Sequence, residues 1–409
     1  MILFKMALRN LLKQKRRSLF TALSMVIGYT LMCVIIGLMD GGFGNIVKSF
    51  TQAKTGHVQI HHREYLDKPG LFKNYEWNKK LEDAVFSVPS VKNVSPRLFS
   101  GALAFIDKKT TAVQLKGIVP DLEAGLTALD KKIEKGRYLS NGEKINEAVI
   151  TNSLAEILKA EVGSELILIS QGADGSIAND RFTVCGILVK DLDSLENNTV
   201  FLPLDTAQEY LTLIGRIHET AVITDDYRDS FKSSLKISRA IFSAGIKDVS
   251  SEPWEVVEQS FYAGVVAKKE GNSINIMVIM LIVGIAVLNT VLMSILERMR
   301  EYGVMKAMGT SPWFIFNSII IEIAMLSLFS SVLGFIFGYA ATYYLHVHGI
   351  VYPEPVSIGG IVVRSVTSEF AVKSFVLPLV TVVLTGIAAA VFPAYIAASN
   401  DPVKSMRSY

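Results

Sequence analysis

The sequence predicts an α-helical membrane protein with four transmembrane helices and a large α+β extracytoplasmic domain inserted between helices 1 and 2, on three observations. Apolar segments at 18–39, 274–296, 313–345 and 375–398 are each long enough for the roughly 20 residues that cross a bilayer. The 40–273 stretch instead mixes polar and apolar residues as a soluble domain does. Lysine and arginine gather beside alternate ends of the four segments, the signature of a cytoplasmic side.

Residues 1–17 come first. Phe4, Leu8 and Leu11 form an apolar stripe while Lys5, Arg9 and Lys13 recur every fourth residue on another face. That pattern predicts an amphipathic elbow helix lying in the lipid interface, basic side toward anionic headgroups, although a plain basic flank that orients the first span has the same composition. The apolar core of the first span exceeds the roughly 7 to 15 residues of a signal peptide and no A-x-A-like site follows it, so the span is expected to remain as an anchor.

The outer domain alternates strand and helix patterns. Val58 and Ile60 alternate between His57 and His61, and a helical stretch runs from Lys79 to Phe86 before Pro89. Strand-like runs recur at Leu103 to Ile106, Ala112 to Leu115, Ala148 to Ile150, Glu165 to Ile169, Phe182 to Val189 and Thr199 to Leu202. A late unit follows: Thr220 to Ile223, a helix over Arg228 to Ser243, then Lys247 to Ser251. The early and late units are expected to pair into one lobe, with 116–213 inserted as a second.

Basic residues set the orientation. Lys15, Arg16 and Arg17 precede the first span, Arg298, Arg300 and Lys306 fill the 297–312 connection, and Lys404 and Arg407 lie in the 399–409 tail. These segments are expected in the cytoplasm, with both termini there. The 346–374 connection balances Arg364 and Lys373 with Glu354 and Glu369, and faces out with the large domain. The net charge of +3 carries little information, because the basic residues are expected to serve topology rather than a nucleic-acid face. Cys33 in the first span and Cys185 in the outer domain cannot meet, so the domain folds without an internal disulfide.

The chemistry-bearing element is the connection Glu297-Arg-Met-Arg-Glu-Tyr-Gly-Val-Met-Lys-Ala-Met-Gly309, which leaves the second span without a proline. A helix running on from the span would group Met299, Tyr302, Met305 and Met308 at i, i+3 steps, ringed by Glu297, Arg298, Arg300, Glu301 and Lys306. Such a projection suits docking into a groove of a cytosolic partner, and Gly309 and Pro312 end it.

At these residues the chain resembles the MacB, FtsX and LolC/LolE permeases, subunits of ABC transporters. ALRNLLKQKRRSLFTALSMVIG (Ala7 to Gly28) is similar to their N-terminal elbow and first span, and FPAYIAASNDPVKSMR (Phe392 to Arg407) to their C-terminal signature. TGHVQIHHREYLD (Thr55 to Asp67), Pro96-Arg97-Leu98 and Leu115-Lys-Gly-Ile-Val-Pro120 look most like the LolE-like, lipoprotein-releasing branch. The resemblance implies mechanotransmission in a bacterial inner membrane: a cytosolic ABC ATPase dimer closes on ATP and Mg, the coupling element moves, and the periplasmic domain responds. It implies no catalytic residue, cofactor or metal in this chain. Its partners would be that ATPase, a second permease copy or paralogue, membrane lipids, and a periplasmic carrier or lipoprotein. No G-x-x-x-x-G-K-[ST] loop occurs to cradle ATP phosphates, so the nucleotide belongs to a partner chain. Three functions fit the resemblance: lipoprotein release, MacB-like tripartite efflux of drugs, peptides or toxins, and FtsX-like signalling to a partner enzyme.

Four intramembrane residues are candidates for packing or a dimer interface. Glu322 lies on the order of 13 Å into the third span, where a carboxylate is costly unless paired or shallow. Asn289 in the second span is expected to make an interhelical hydrogen bond, and Gly334 with Gly338 forms a Gly-x-x-x-Gly that suits either a permease dimer or packing within one subunit. His57 and His61 share a strand face but sit about 13 Å apart, too far to hold one zinc ion without a bend. No Ser-His-Asp or Cys-His arrangement has a nucleophile-turn signature.

Overall fold

The computed structural model describes Arg9 and residues 15–141, 146–190, 196–358 and 361–399. The expected elbow helix and the 399–409 tail therefore fall almost wholly outside the described residues. The chain divides into two compact units, one of residues 1–45, 266–353 and 365–409, the other of 46–265 and 354–364.

The first unit is helical. Its long elements are α1 (Lys15–Phe50), α8 (Gln259–Leu296), α10 (Pro312–His348) and α11 (Lys373–Ser399), with the short α9 (Met299–Ala307) between α8 and α10. The four long helices are apolar and long enough to cross a membrane. Two run well past the expected spans: α1 has 36 residues and α8 has 38. Val283, Val287, Val291 and Ile295 recur at every fourth position of α8, forming one buried edge against a core that includes Met25, Met32, Ile319, Ile323, Val382 and Ala390. Instead of irregular loop, 346–374 carries the paired strands β13 (Ile350–Ile358) and β14 (Ile361–Val366).

The second unit takes in the end of α1 and a π-helical turn at Thr51–Thr55. In chain order its elements are β1 (Val58–His62), β2 (Tyr75–Glu76), α2 (Lys79–Phe86), β3 (Val91–Ile106), β4 (Lys109–Ile118), α3 (Pro120–Thr127), β5 (Ile133–Gly136) and β6 (Glu147–Ile150). Then come α4 (Asn152–Leu158), β7 (Glu165–Gln171), β8 (Ile177–Leu188), β9 (Thr199–Pro203), α5 (Leu204–Tyr210), β10 (Arg216–Ile217), β11 (Glu219–Thr224), α6 (Ser230–Ser243), β12 (Val249–Pro253) and α7 (Trp254–Val257).

One sheet orders the strands β12-β1-β11-β3-β4-β9-β6-β8-β5, with β7 pairing both β3 and β8. The expected lobe boundary at 116 falls inside β4, so the two lobes are not separate bodies. The 16-residue β3 is the reason: its first half pairs with β11 from Val91 to Arg97, and its second half with β7 from Leu103 to Phe105. A strand hydrogen-bonded into both halves makes them one cooperative sheet. On its face, α2 starts where the Asn78 side chain accepts the Leu81 N–H at 3.0 Å, a cap worth about 1 kcal/mol. That helix buries Leu81 and Val85, one turn apart, in the domain core.

Candidate functional site

The connection between the second and third spans is not a continuation of the span. Helix α8 stops at Leu296, the Glu297 and Arg298 N–H groups close a tight turn onto Met293 and Ile295 carbonyls at 3.1 and 3.0 Å, and α9 begins at Met299. Arg298 explains the break. Its side chain is 9% exposed and turns inward: Nη1 donates to Glu322 Oε1 on α10, and Nε donates to Glu301 Oε2 at 3.0 Å. The guanidinium also lies 5.1 Å from the centre of the buried Tyr302 ring, within cation–π range.

At the other end Lys306 Nζ donates to the Ala398 carbonyl of α11 at 2.8 Å. Gly309, at φ +91°, lets the chain reverse, and the N–H groups of Gly309 and Thr310 return to the Lys306 and Met305 carbonyls. Ser311 then caps α10, accepting the Phe314 N–H at 3.3 Å, with Pro312 in the first turn. A short helix is thereby pinned across the ends of α10 and α11.

This geometry corrects the expected docking surface. Met299 and Met305 pack against the helical core and Tyr302 is part of it, so the four grouped side chains do not project together. Of them, only Met308 is exposed, at 74%. The outward face consists of Val304, Ala307 and Met308 with Arg300 and Glu301 beside them, and Glu297 is exposed in the preceding turn. Next to α9 lies an apolar cavity of about 550 Å³ lined by Lys306, Trp313, Phe316, Phe392 and Tyr395.

The remaining membrane candidates separate. Glu322 is the ion-pair partner of Arg298. Gly334 and Gly338 face α1 of the same chain: a Cβ at Gly334 would sit 2.8 Å from Tyr29 Cβ, and one at Gly338 3.1 Å from Cys33 Sγ. The Gly-x-x-x-Gly is consumed by packing within one subunit and is not open to a second. Asn289 is exposed and makes no hydrogen bond among the described residues, in contrast to the interhelical bond expected of it.

The outer domain holds a second constellation, built in part from residues of the quoted motifs, Arg97 and Lys116 among them, and in part from carboxylates outside them. Arg97 is fully buried and grips Glu123 on α3 by two bonds, Nε to Oε2 at 3.0 Å and Nη2 to Oε1 at 2.8 Å. Its Nη1 donates to the Lys54 carbonyl of the π-helical turn and reaches Glu219 Oε1 on β11 at 3.5 Å. Burial opposes the Glu123 charge, but Arg97 and Lys116 outweigh it and hold its pKa at about 2. Glu219 goes the other way: burial raises its pKa, and Arg97 and Lys116 offset this only in part. Lys116 pairs with Glu196 at 2.7 Å, and a cavity of about 290 Å³ opens beside Gln59, Tyr65, Lys116 and Glu219. Buried charges leave no periodic trace, so no sequence signal pointed to the carboxylate partners.

His57 and His61 point into the domain. The His57 ring accepts the Thr224 N–H at 3.1 Å, and burial lowers its pKa to about 4. Among the described residues no group of three or more His, Cys, Asp or Glu side chains is placed to hold a metal ion.

Residues 18–231 match the family model of the MacB-like periplasmic core domain, and residues 273–402 that of the FtsX-like permease C-terminal region. The chain belongs to the MacB/FtsX-like family of ABC transporter permeases. An uncharacterized ABC transporter permease of Methanocaldococcus jannaschii is 23% identical over 81% of each chain. The macrolide export ATP-binding/permease protein MacB of Campylobacter jejuni is 25% identical over 98% of this chain and 61% of its own length. The lipoprotein-releasing system transmembrane protein LolC of Neisseria meningitidis is 21% identical over 81% of this chain. The present MacB/FtsX-like permease is thus a multi-pass membrane protein with a MacB-like α+β domain, and its α9 is the link between the two spans at the head of the FtsX-like segment.

Proposed function

We propose that this permease transmits ATP-driven motion of a separate cytosolic ATPase dimer to its outer domain, and that the cargo is a lipoprotein of the inner membrane. The observation that carries the reading is the construction of α9: a short helix fastened at one end by Arg298 to Glu322 and at the other by Lys306 to Ala398, with Val304 and Met308 left outside. A push on that outer face has no slack to absorb it, because both ends are bonded to membrane helices. Both chain termini and α9 lie in the cytoplasm in this reading, where the arginine and lysine clusters belong.

The lipoprotein assignment is supported by the similarity to LolC over most of both chains and by the Thr55 to Asp67 and Pro96-Arg97-Leu98 segments. Efflux of drugs, peptides or toxins is the second reading, supported by the MacB relatives that align with 98% of the chain. Reconstitution in vesicles with the ATPase separates the two: ATP-dependent release of acylated protein is the expected result. Macrolide movement without such release overturns the lipoprotein reading in favour of efflux. For the coupling step, Met308→Asp or Val304→Asp is expected to abolish ATPase binding while the permease still inserts. Unchanged binding in both would sink the assignment of α9.

A further inference from the structure

Two cavities of the outer domain meet at Tyr65, Pro69, Phe99 and Gln114, which line both. The inner one, of about 290 Å³, lies among the π-helical turn, β1, β4 and β11, and the outer one, of about 360 Å³, reaches Leu71 and His218. Together they form a cleft in the size range of small-molecule sites, roughly 300–1,000 Å³. The charges of its inner end do not balance. Lys54, Lys116, Glu196, Glu219 and Glu258 line it, and Lys54 pairs with Glu258 at 2.6 Å and Lys116 with Glu196 at 2.7 Å. Glu219 is left over. It is 8% exposed, its Oε2 accepts from Gln59 Nε2 at 2.6 Å, and its Oε1 has Arg97 only at 3.5 Å because that guanidinium is turned onto Glu123. Lys132, the other cation near this network, lines a separate small cavity with Glu123 and Glu196. A carboxylate taken out of water needs a positive charge close by, and burial raises the Glu219 pKa against the pull of Arg97 and Lys116.

We propose that this cleft binds a small organic cation, a primary ammonium on an aromatic or apolar body, with the ammonium at Glu219 and the body between Tyr65 and Phe99 toward His218. The ammonium supplies the charge that the inner end lacks, and its N–H groups donate to the carboxylate. Ring faces accept a cation beside them, and Phe99 already does so for the chain itself, with Lys116 Nζ 5.7 Å from its centre. An anion meets three carboxylates and two lysines that are already paired, so the site refuses it. A neutral ligand of the same shape leaves Glu219 as it was and forgoes the ion pair. Lys54 stands just after α1 and Glu258 just before α8, so the ligand sits where the chain enters and leaves the outer domain. The proposal rests on the outer domain alone and not on the cargo.

Isothermal titration calorimetry of the full-length permease in detergent tests it, with phenethylammonium as the probe and phenethyl alcohol and phenylpropionate as neutral and anionic counterparts of similar size. The ammonium should bind about tenfold more tightly than either counterpart, as a hydrogen bond to a charged group implies. Glu219→Gln keeps an acceptor for Gln59 and removes the charge, so it should weaken the ammonium about tenfold and leave the alcohol unchanged. Tyr65→Ala removes a half-buried wall and should weaken ammonium and alcohol alike, which locates the site even if Glu219→Gln does not fold. No binding of the ammonium, equal binding of all three probes, or ammonium affinity unchanged in Tyr65→Ala or in folded Glu219→Gln overturns the proposal. Neither ATPase nor cargo enters the measurement, so a negative result leaves the proposed function standing.

Discussion

Arg298, in the turn that follows the second span, forms a buried ion pair with Glu322, placed in the third long helix 24 positions further on. Each explains the other. A carboxylate below a membrane surface needs a cation, and an arginine that turns inward to supply it stops the helix that carries it.

Removing one partner is expected to cost more than removing both. Glu322→Leu leaves a guanidinium largely buried with only Glu301, for a loss of about 3 kcal/mol, the lower end of values for broken buried pairs. Arg298→Met combined with Glu322→Leu should recover part of it. Thermal unfolding in detergent measures both, and a double variant less stable than Glu322→Leu would refute the pairing.

Gly334→Ala places a methyl group 2.8 Å from Tyr29 Cβ, on the rigid root of that side chain, whereas Gly338→Ala meets Cys33 Sγ at 3.1 Å. The first should lose about 1–3 kcal/mol by overpacking and the second less. Cys33→Ala should relieve Gly338→Ala and leave Gly334→Ala unchanged in the same melting assay. Relief of both would place the crowding elsewhere.

Arg97→Met strands Glu123 and Glu219 in the outer domain without their guanidinium. Loss of about 3–5 kcal/mol follows from leaving the buried Glu123 carboxylate without its ion-pair partner. Hydrogen exchange at β3 and α3 should accelerate, and Arg97→Lys should protect only partly, since an ammonium cannot grip Glu123 with two parallel bonds.

Acid should loosen the same domain. His57 folds with its pKa lowered from 6.5 to about 4 by burial, and burial lowers His61 and His218 as well. A depressed pKa means that the unfolded chain takes the proton first, so stability is complete above pH 6.5 and falls as pH drops toward 4. His57 alone accounts for about 2 kcal/mol by pH 5. Glu219, with its pKa raised, acts in the opposite sense and regains stability as pH falls. His57→Gln should flatten the fall between pH 7 and 5 in exchange measurements at β1 and β11; an unchanged slope would remove His57 from the account.

The sequence by itself determined the four apolar helices, the place of the α+β domain between the first two, and the family. These rest on periodicity, segment length and charge counted along the chain, all of which are local. It also located the short connection after the second span, but not which way that connection faces. Only the tertiary structure decided that Met299, Tyr302 and Met305 turn inward, because their orientation follows from Arg298 reaching a carboxylate on another helix. It decided too that Gly334 and Gly338 serve α1, that β3 joins two expected lobes into one sheet, and that Asn289 stays open. Partner choice across long separations depends on shape and charge at the point of contact, and a linear pattern does not record what stands opposite.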